Sequence, residues 1–346
     1  PTQTFEMENQ LFEKLQKLTA LSAPTGQEHV VRSYLTAEIE KLGYISQVDR
    51  LGNLTVTTGT PNAPHLLLVA HMDEIGVIVS HVDKRGFCYL QPLGGISTTI
   101  LIGCRVQFAN GVQGVIHNEG TGYRTPGSFD EIYVDVGATS ASDCPLQVGD
   151  IAGYVSPLQR VGNTRATGKS IDDRVGCLIL LEALANAKNS PWQVTFAWSV
   201  QEEIGVRGAG ALAFAVDPQV ALSVDVTRTG DVPETTRMAV RLGGGPAIKL
   251  RDAGMIADSR VVQAMQESAQ AHGIPFQREI LANGSTDARA VQISRGGVLA
   301  GCLSIPCRYV HSINEMVDLQ DVSNSIKLLQ SFIHSQETLN SLVREH

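Results

Sequence analysis

Four apolar runs, each leading into a histidine or an acid, constrain this chain more than any other feature. His65–Ala70 runs into His71, Val194–Val200 precedes Glu202 and Glu203, Val220–Val224 runs into Asp225, and Val298–Ser304 leads through Pro306 to His311. Runs of this length and composition read as buried strands, and charged side chains are rarely buried unless paired or bound to a cation. Each terminus has an ordinary reading when taken singly. His71 suits a structural hydrogen-bonder, Glu202-Glu203 a solvated pair past a strand end, and Asp172-Asp173 a helix N-cap that complements the helix dipole. Taken together they point elsewhere, because ligands of open α/β sheets bind at the carboxyl ends of strands. His71, Glu203, Asp225 and His311 are placed to converge there with Asp172, which immediately precedes a helix. Two histidines and three carboxylates suit two divalent cations, one histidine and one carboxylate each, with the third carboxylate bridging them. Asp73 is spaced to hold the second ring nitrogen of His71, as metal-binding histidines require.

The remaining elements follow in order. Leu11, Leu15 and Leu18 form one helical stripe, and Thr25 with Glu28 has the spacing of a capping box before Val31, Leu35, Ile39 and Leu42, with Gly43 as the stop. A strand is predicted at Asn53–Thr57. From about Ile75 to Val161 the texture changes to short β-rich runs, Gly76–Val82, Phe87–Leu90, Arg105–Ala109, Val112–Ile116 and Glu131–Val136, separated by turn signals such as Asn110-Gly111. No amphipathic helix interrupts them. This predicts a small β-barrel or sandwich inserted into an α/β fold, since alternation of helix and strand resumes afterwards. Its apolar stretch Leu93–Ile102 favours contact with another subunit. Beyond it, helices are predicted at Val175 to about Ala187, Ser259–His272 and Val322–Ile333, and a polar loop at Gly284-Ser285-Thr286-Asp287. Gly243-Gly244-Gly245 lacks the lysine of a P-loop and the spacing of a dinucleotide fingerprint, so it reads as a tight turn.

Composition excludes several classes. With 346 residues the chain has room for two domains, and at 43% hydrophobic and 18% charged it has ordinary globular composition, without the apolar run of about 18 residues that a membrane helix needs. A formal net charge of −8 argues against a nucleic-acid surface. Six cysteines without a CxxC pair read as free, buried thiols. Glu6 and Glu8 stand where a secretory signal would carry bases, so a cytoplasmic chain is expected.

The motifs His71-Met72-Asp73, Gly168-Lys169-Ser170-Ile171-Asp172-Asp173-Arg174, Gln201-Glu202-Glu203-Ile204-Gly205, Asp225-Val226-Thr227 and Arg308-Tyr309-Val310-His311-Ser312 together resemble the glutamyl aminopeptidase and deblocking aminopeptidase family, in the right order over nearly the whole chain. The resemblance implies a cocatalytic metallopeptidase that removes N-terminal residues from peptides. It implies a mixed-sheet, zinc-peptidase-like catalytic domain (an α/β/α sandwich) formed by residues 1–72 and 163–346, with residues 73–162 an inserted small β-barrel, PDZ-like and serving dimerisation. It further implies that Asp172 bridges two metals, that His71 and Asp225 complete one site and Glu203 and His311 the other, that Glu202 is the general base, and that Asp73 orients His71. Zinc or cobalt, with manganese as a third choice, are the cations implied, and dimers assembling to a tetrahedral dodecamer the oligomer. Peptides with a free N-terminus are the expected partners, with no nucleic acid and no membrane.

Two other classes compete. A glycoside hydrolase would use paired carboxylates about 5 to 9.5 Å apart and aromatic platforms, yet aromatic content is 5% and the two histidines go unexplained. A non-catalytic assembly keeping the fold leaves the intact ligand set and base without a use.

Overall fold

The computed structural model describes residues 2–120, 125–235 and 237–343. Helices α1 (Thr2–Ala20) and α2 (His29–Lys41) lead into strands β1 (Gln47–Val48), β2 (Leu54–Gly59) and β3 (His65–His71). Six strands follow: β4 (Gly76–Val82), β5 (Cys88–Leu93), β6 (Arg105–Phe108), β7 (Gln113–Asn118), β8 (Ile132–Asp135) and β9 (Ile151–Tyr154). The chain then forms β10 (Gln159–Val161), β11 (Arg165–Gly168), α3 (Ile171–Leu184), β12 (Gln193–Ser199), α4 (Arg207–Val216) and β13 (Val220–Thr227). It ends with β14 (Ala247–Arg251), α5 (Ser259–Ala271), β15 (Gln277–Ile280), α6 (Ala288–Gln292), β16 (Leu299–Arg308), β17 (Glu315–Asp318), α7 (Leu319–His334) and α8 (Gln336–Val343).

The first sheet is mixed, in the order β1-β2-β12-β3-β13-β16-β17-β11-β10, with β14 and β15 branching from β16. Its centre, β12, β3, β13 and β16, is mutually parallel, so all four strands end at one edge. These strands are apolar on both sides because helices cover both. Leu66, Leu68 and Ala70 of β3 share a core with Leu15, Leu178 and Leu329 of α1, α3 and α7. Leu67 and Val69 face the other way, onto Ala209 and Leu212 of α4 and Val291 of α6. Each leucine or valine among them stabilises the sandwich by about 1.5–3 kcal/mol.

Strands β4 to β9 close into a barrel in the order β4-β5-β8-β7-β6-β9. Closure leaves no unpaired edge and wraps a separate core of Val77, Leu90, Val106, Ile116 and Val134. Apolar residues of the Leu93–Ile102 stretch also serve the barrel itself. Leu101 is fully buried, and Ile96, Ile100 and Ile102 pack onto the barrel's own core. The capping box expected at Thr25 and Glu28 does not form. The Thr25 hydroxyl donates to Asp73 (2.7 Å), a buried acceptor distant in sequence, while Glu28 accepts the amides of Gly26 (3.0 Å) and Gln201 (3.1 Å), so neither side chain is left for the reciprocal cap. The triple glycine is a tight turn. Gly243 and Gly245 have φ of +75° and +88°, a Cβ on Gly245 would meet the Pro275 carbonyl at 2.0 Å, and both amides donate to Asp321. All six cysteines are free, five of them buried. Among the described residues, no helix is long and apolar enough to cross a membrane.

Candidate metal centre

The shared strand edge gathers the residues that the sequence singled out. His71 is the last residue of β3 and lies in register with Ser199, the last of β12. Asp225 lies near the end of β13, and His311 stands three residues beyond β16. Asp172 arrives from the opposite direction, at the start of α3, where the backbone leaves helical geometry at Asp172 and Asp173. There the N-cap reading divides. Asp173 keeps it, accepting the Gly176 amide at 3.1 Å, while Asp172 turns both carboxylate oxygens to histidines.

One Asp172 oxygen lies 3.0 Å from His71 Nε2 and the other 3.2 Å from His311 Nε2. Asp225 approaches the same His71 nitrogen at 3.8 Å, and Glu203 approaches His311 Nε2 at 3.2 Å. Two groups with metal-ligand spacing result, His71-Asp172-Asp225 and Asp172-Glu203-His311, each with its donor atoms within 4.8 Å of one another. A third grouping, His71-Glu202-Glu203, meets the same spacing. There Glu202 stands 3.8 Å from His71 Nε2.

Neighbouring residues of an extended strand point to opposite faces, so Glu202 and Glu203 reach one site only because the backbone turns. Gln201 supplies the turn with φ of +56°, and the amides of Gly205 and Val206 close it onto the Glu202 carbonyl. Asp73 fixes it by accepting the Glu202 amide at 3.0 Å and the Glu203 amide at 3.1 Å. The carbonyl of Asp73 also faces His71 Nδ1 at 3.0 Å, and its carboxylate lies 3.4 Å away.

Three acids whose part the motifs did not reveal surround this set. Glu315 accepts the amides of Asp172 and His311, both at 2.9 Å, and so ties the two segments together. Asp173 accepts the His71 amide at 3.2 Å. Asp287, expected in a polar loop, is instead buried before α6 and accepts from the Ser199 hydroxyl. Its other oxygen has no partner among the described residues.

The electrostatics describe an excess of buried negative charge. Burial pushes Asp225 and Glu202 well above the usual carboxylate range and raises Glu203, with neighbouring acids adding to the effect. Burial raises Asp287 to about 6. For Asp172 burial acts in the same sense, but hydrogen bonds from His311 and His71 outweigh it and hold the carboxyl low. Burial opposes charge on His311, yet Glu203 and Asp172 push it up to about 12. Among the described residues no lysine or arginine pairs with Asp172, Glu202, Glu203 or Asp225; their ion-pair partners are the two histidines. An acid-rich oxygen and imidazole set of this kind suits divalent cations.

Residues 52–328 match the M42 glutamyl aminopeptidase family, and the chain belongs to it. It is therefore a peptidase by family. An aminopeptidase of the archaeon Desulfurococcus kamchatkensis is 34% identical, with a TM-score of 0.92 over 98% of this chain and 99% of that one. The TET1 peptidase of Pyrococcus horikoshii, which assembles into a tetrahedron or a large octahedral shell, is 28% identical with a TM-score of 0.84, covering 94% of this chain and 99% of its own. A Thermotoga maritima structure described as an endoglucanase is 32% identical with a TM-score of 0.80, covering 95% and 99%.

Proposed function

We propose that this protein is a dinuclear metal-dependent aminopeptidase that hydrolyses the first peptide bond of peptides with a free N-terminus. One observation carries the reading: the two oxygens of a single buried carboxylate, Asp172, each face a different histidine, and each histidine has a further carboxylate beside it. In this reading Asp172 would be shared by two divalent cations, with His71 and Asp225 holding one and Glu203 and His311 the other. Zinc, cobalt and manganese all suit such a donor set. When bound, the pair supplies Lewis acidity to the scissile carbonyl and lowers the pKa of the attacking water.

The chain's own residues do the rest. Glu202, held in the site by the turn at Gln201, takes the proton of the attacking water and delivers it to the leaving amine. In the metal-free cluster burial holds its carboxyl well above the usual range, and cations bound beside it would lower it towards the working pH that a general base needs. Asp73 positions Glu202 and Glu203 by accepting their amides with its carboxylate, and His71 chiefly through its backbone carbonyl, so one residue serves base and ligands together.

The barrel, taken as the inserted unit of residues 73–162, is assigned to dimerisation and the oligomer to a dodecamer, a reading supported by the assemblies described for the TET1 relative. Six free cysteines suit a reducing cytoplasm. The description of the Thermotoga maritima relative raises a second reading, cleavage of a glucan by paired acids. Against it, the cleft over the cluster is lined by no Phe, Tyr or Trp among the described residues. The test is a panel of peptides with free and blocked N-termini, and a soluble β-glucan, each incubated with the metal-stripped protein and after addition of Zn2+, Co2+ or Mn2+. Metal-dependent release of N-terminal residues is expected. Cleavage of blocked peptides at internal bonds, release of reducing sugar, or full activity without metal would overturn it.

A further inference from the structure

We propose that the barrel is itself a positioning element of the metal centre: the Gly95 carbonyl holds the His311 ring, so the seat of the barrel on the sandwich sets the affinity of one of the two metal positions. The proposal rests on the dinuclear reading above. His311 Nδ1 lies 2.8 Å from the carbonyl of Gly95, in the barrel loop that follows β5. A carbonyl only accepts, so Nδ1 carries a proton, and Nε2, the atom that faces Asp172 and Glu203, is the nitrogen left to a cation, which would take the place of its proton. Within the His71 half the equivalent acceptor is the carbonyl of Asp73, two residues away on the same segment. One histidine is oriented locally and the other from across a domain boundary.

The glycines of that loop fit the contact. A Cβ on Gly95 would stand 3.3 Å from His311 Nδ1 and 3.6 Å from Cε1, and one on Gly94 would stand 3.3 Å from the Glu203 Cβ and 2.8 Å from Ile75. Both side chains assigned to the second metal position therefore lie directly against bare barrel backbone. The seat that holds this backbone in place is a buried charge cluster at the entrance to β4. Glu74 accepts from Lys169 at 2.7 and 3.0 Å, from Arg174 at 3.2 Å and from the Ala23 amide at 2.7 Å. Arg174 in turn donates to the carbonyls of Leu18, Leu21 and Met72. The barrel thus enters the site as a fixed body rather than as a tethered neighbour.

The experiment is titration of the metal-stripped full chain with Co2+, read by calorimetry and by the ligand-field absorption of each equivalent, for the parent, Gly95→Ala and Gly95→Val. Gly127→Ala serves as the control, since among the described residues its Cβ meets only Glu131, at 3.3 Å, and touches neither half of the cluster. Thermal unfolding of each variant establishes that it folds, and Gly95→Ala carries the test should the valine be too large. Expected is a loss of about 10- to 100-fold in affinity for one equivalent, greater for valine than for alanine, with an altered spectrum for that equivalent and none for the other. Unchanged binding of both equivalents, or equal weakening of both, overturns the proposal. A parent that takes up fewer than two equivalents overturns the dinuclear reading itself, and the proposal falls with it.

Discussion

The His71 half of the cluster and the His311 half contain the same groups and differ in how they are anchored. His71 ends a central strand, its side chain is 2% exposed, and its amide and ring are held by Asp173 and Asp73. His311 sits in a loop with φ of +63°, is 27% exposed, and is held by Glu315 from the following strand and Gly95 from the barrel. The first half is built into the sandwich. The second is assembled where three segments meet, and a site of that kind responds to how its parts are docked.

The largest effect expected belongs to neither half. Glu202→Gln is predicted to lower turnover by about 10²–10⁴-fold, the range for loss of a general base, while both metal equivalents still bind. Activity and metal content measured on one preparation check this, and loss of metal would move Glu202 into the His71 half as a ligand. The next effect strikes the docking on which the second half depends. Glu74→Gln leaves Lys169 and Arg174 buried with a neutral partner, which costs about 3–5 kcal/mol by analogy with other broken buried pairs. Urea unfolding reads that cost, and metal titration should show the His311 half weakened more than the His71 half.

Legibility in the sequence follows the same division. The apolar runs located β3, β12, β13 and β16, because a strand covered on both faces leaves an unbroken apolar signature, but β13 and β16 run three and four residues further than their apolar runs, into Thr227 and Arg308. Asp73 could be tied to His71 because only two positions separate them. Gly95 lies 216 positions from His311 and acts through a backbone carbonyl, which has no residue type to signal it. Glu315 and Asp287 escaped for a related reason: each is an isolated acid whose burial is created by tertiary packing. The short strands β9, β14, β15 and β17 went unpredicted since four or five residues do not establish a period. The Thr25-Glu28 spacing misled because the same side chains found better acceptors and donors at Asp73, Gly26 and Gln201.

Two smaller effects sharpen the contrast. In metal-free protein His71→Ala removes the imidazole from a fully enclosed acid cluster and should cost roughly 1–3 kcal/mol, the penalty for leaving buried partners unsatisfied. His311→Ala, at a partly exposed position, should cost about 1 kcal/mol or less. Equal shifts in thermal unfolding would erase the distinction between the halves. The smallest effect concerns Arg308, three residues before His311, which pairs with Asp231 at 2.8 and 3.0 Å. Burial opposes ionisation of Asp231, but Arg308 outweighs it and holds the carboxyl well below its ordinary value. A depressed folded-state pKa gives stability that is present above about pH 4 and lost as pH falls towards the folded value. The stability difference between the parent and Asp231→Asn should therefore shrink on acidification below about pH 4, and a difference that grows would contradict the assignment.

One carboxylate, Asp172, is proposed to join two unequal metal positions. Anomalous diffraction at the zinc or cobalt edge from crystals grown with that metal tests it most directly. Two peaks about 3.5–4 Å apart are expected astride the Asp172 carboxylate, one beside His71 and Asp225, the other beside Glu203 and His311, with Glu202 touching neither. A single peak, or two peaks that do not share Asp172, would contradict it.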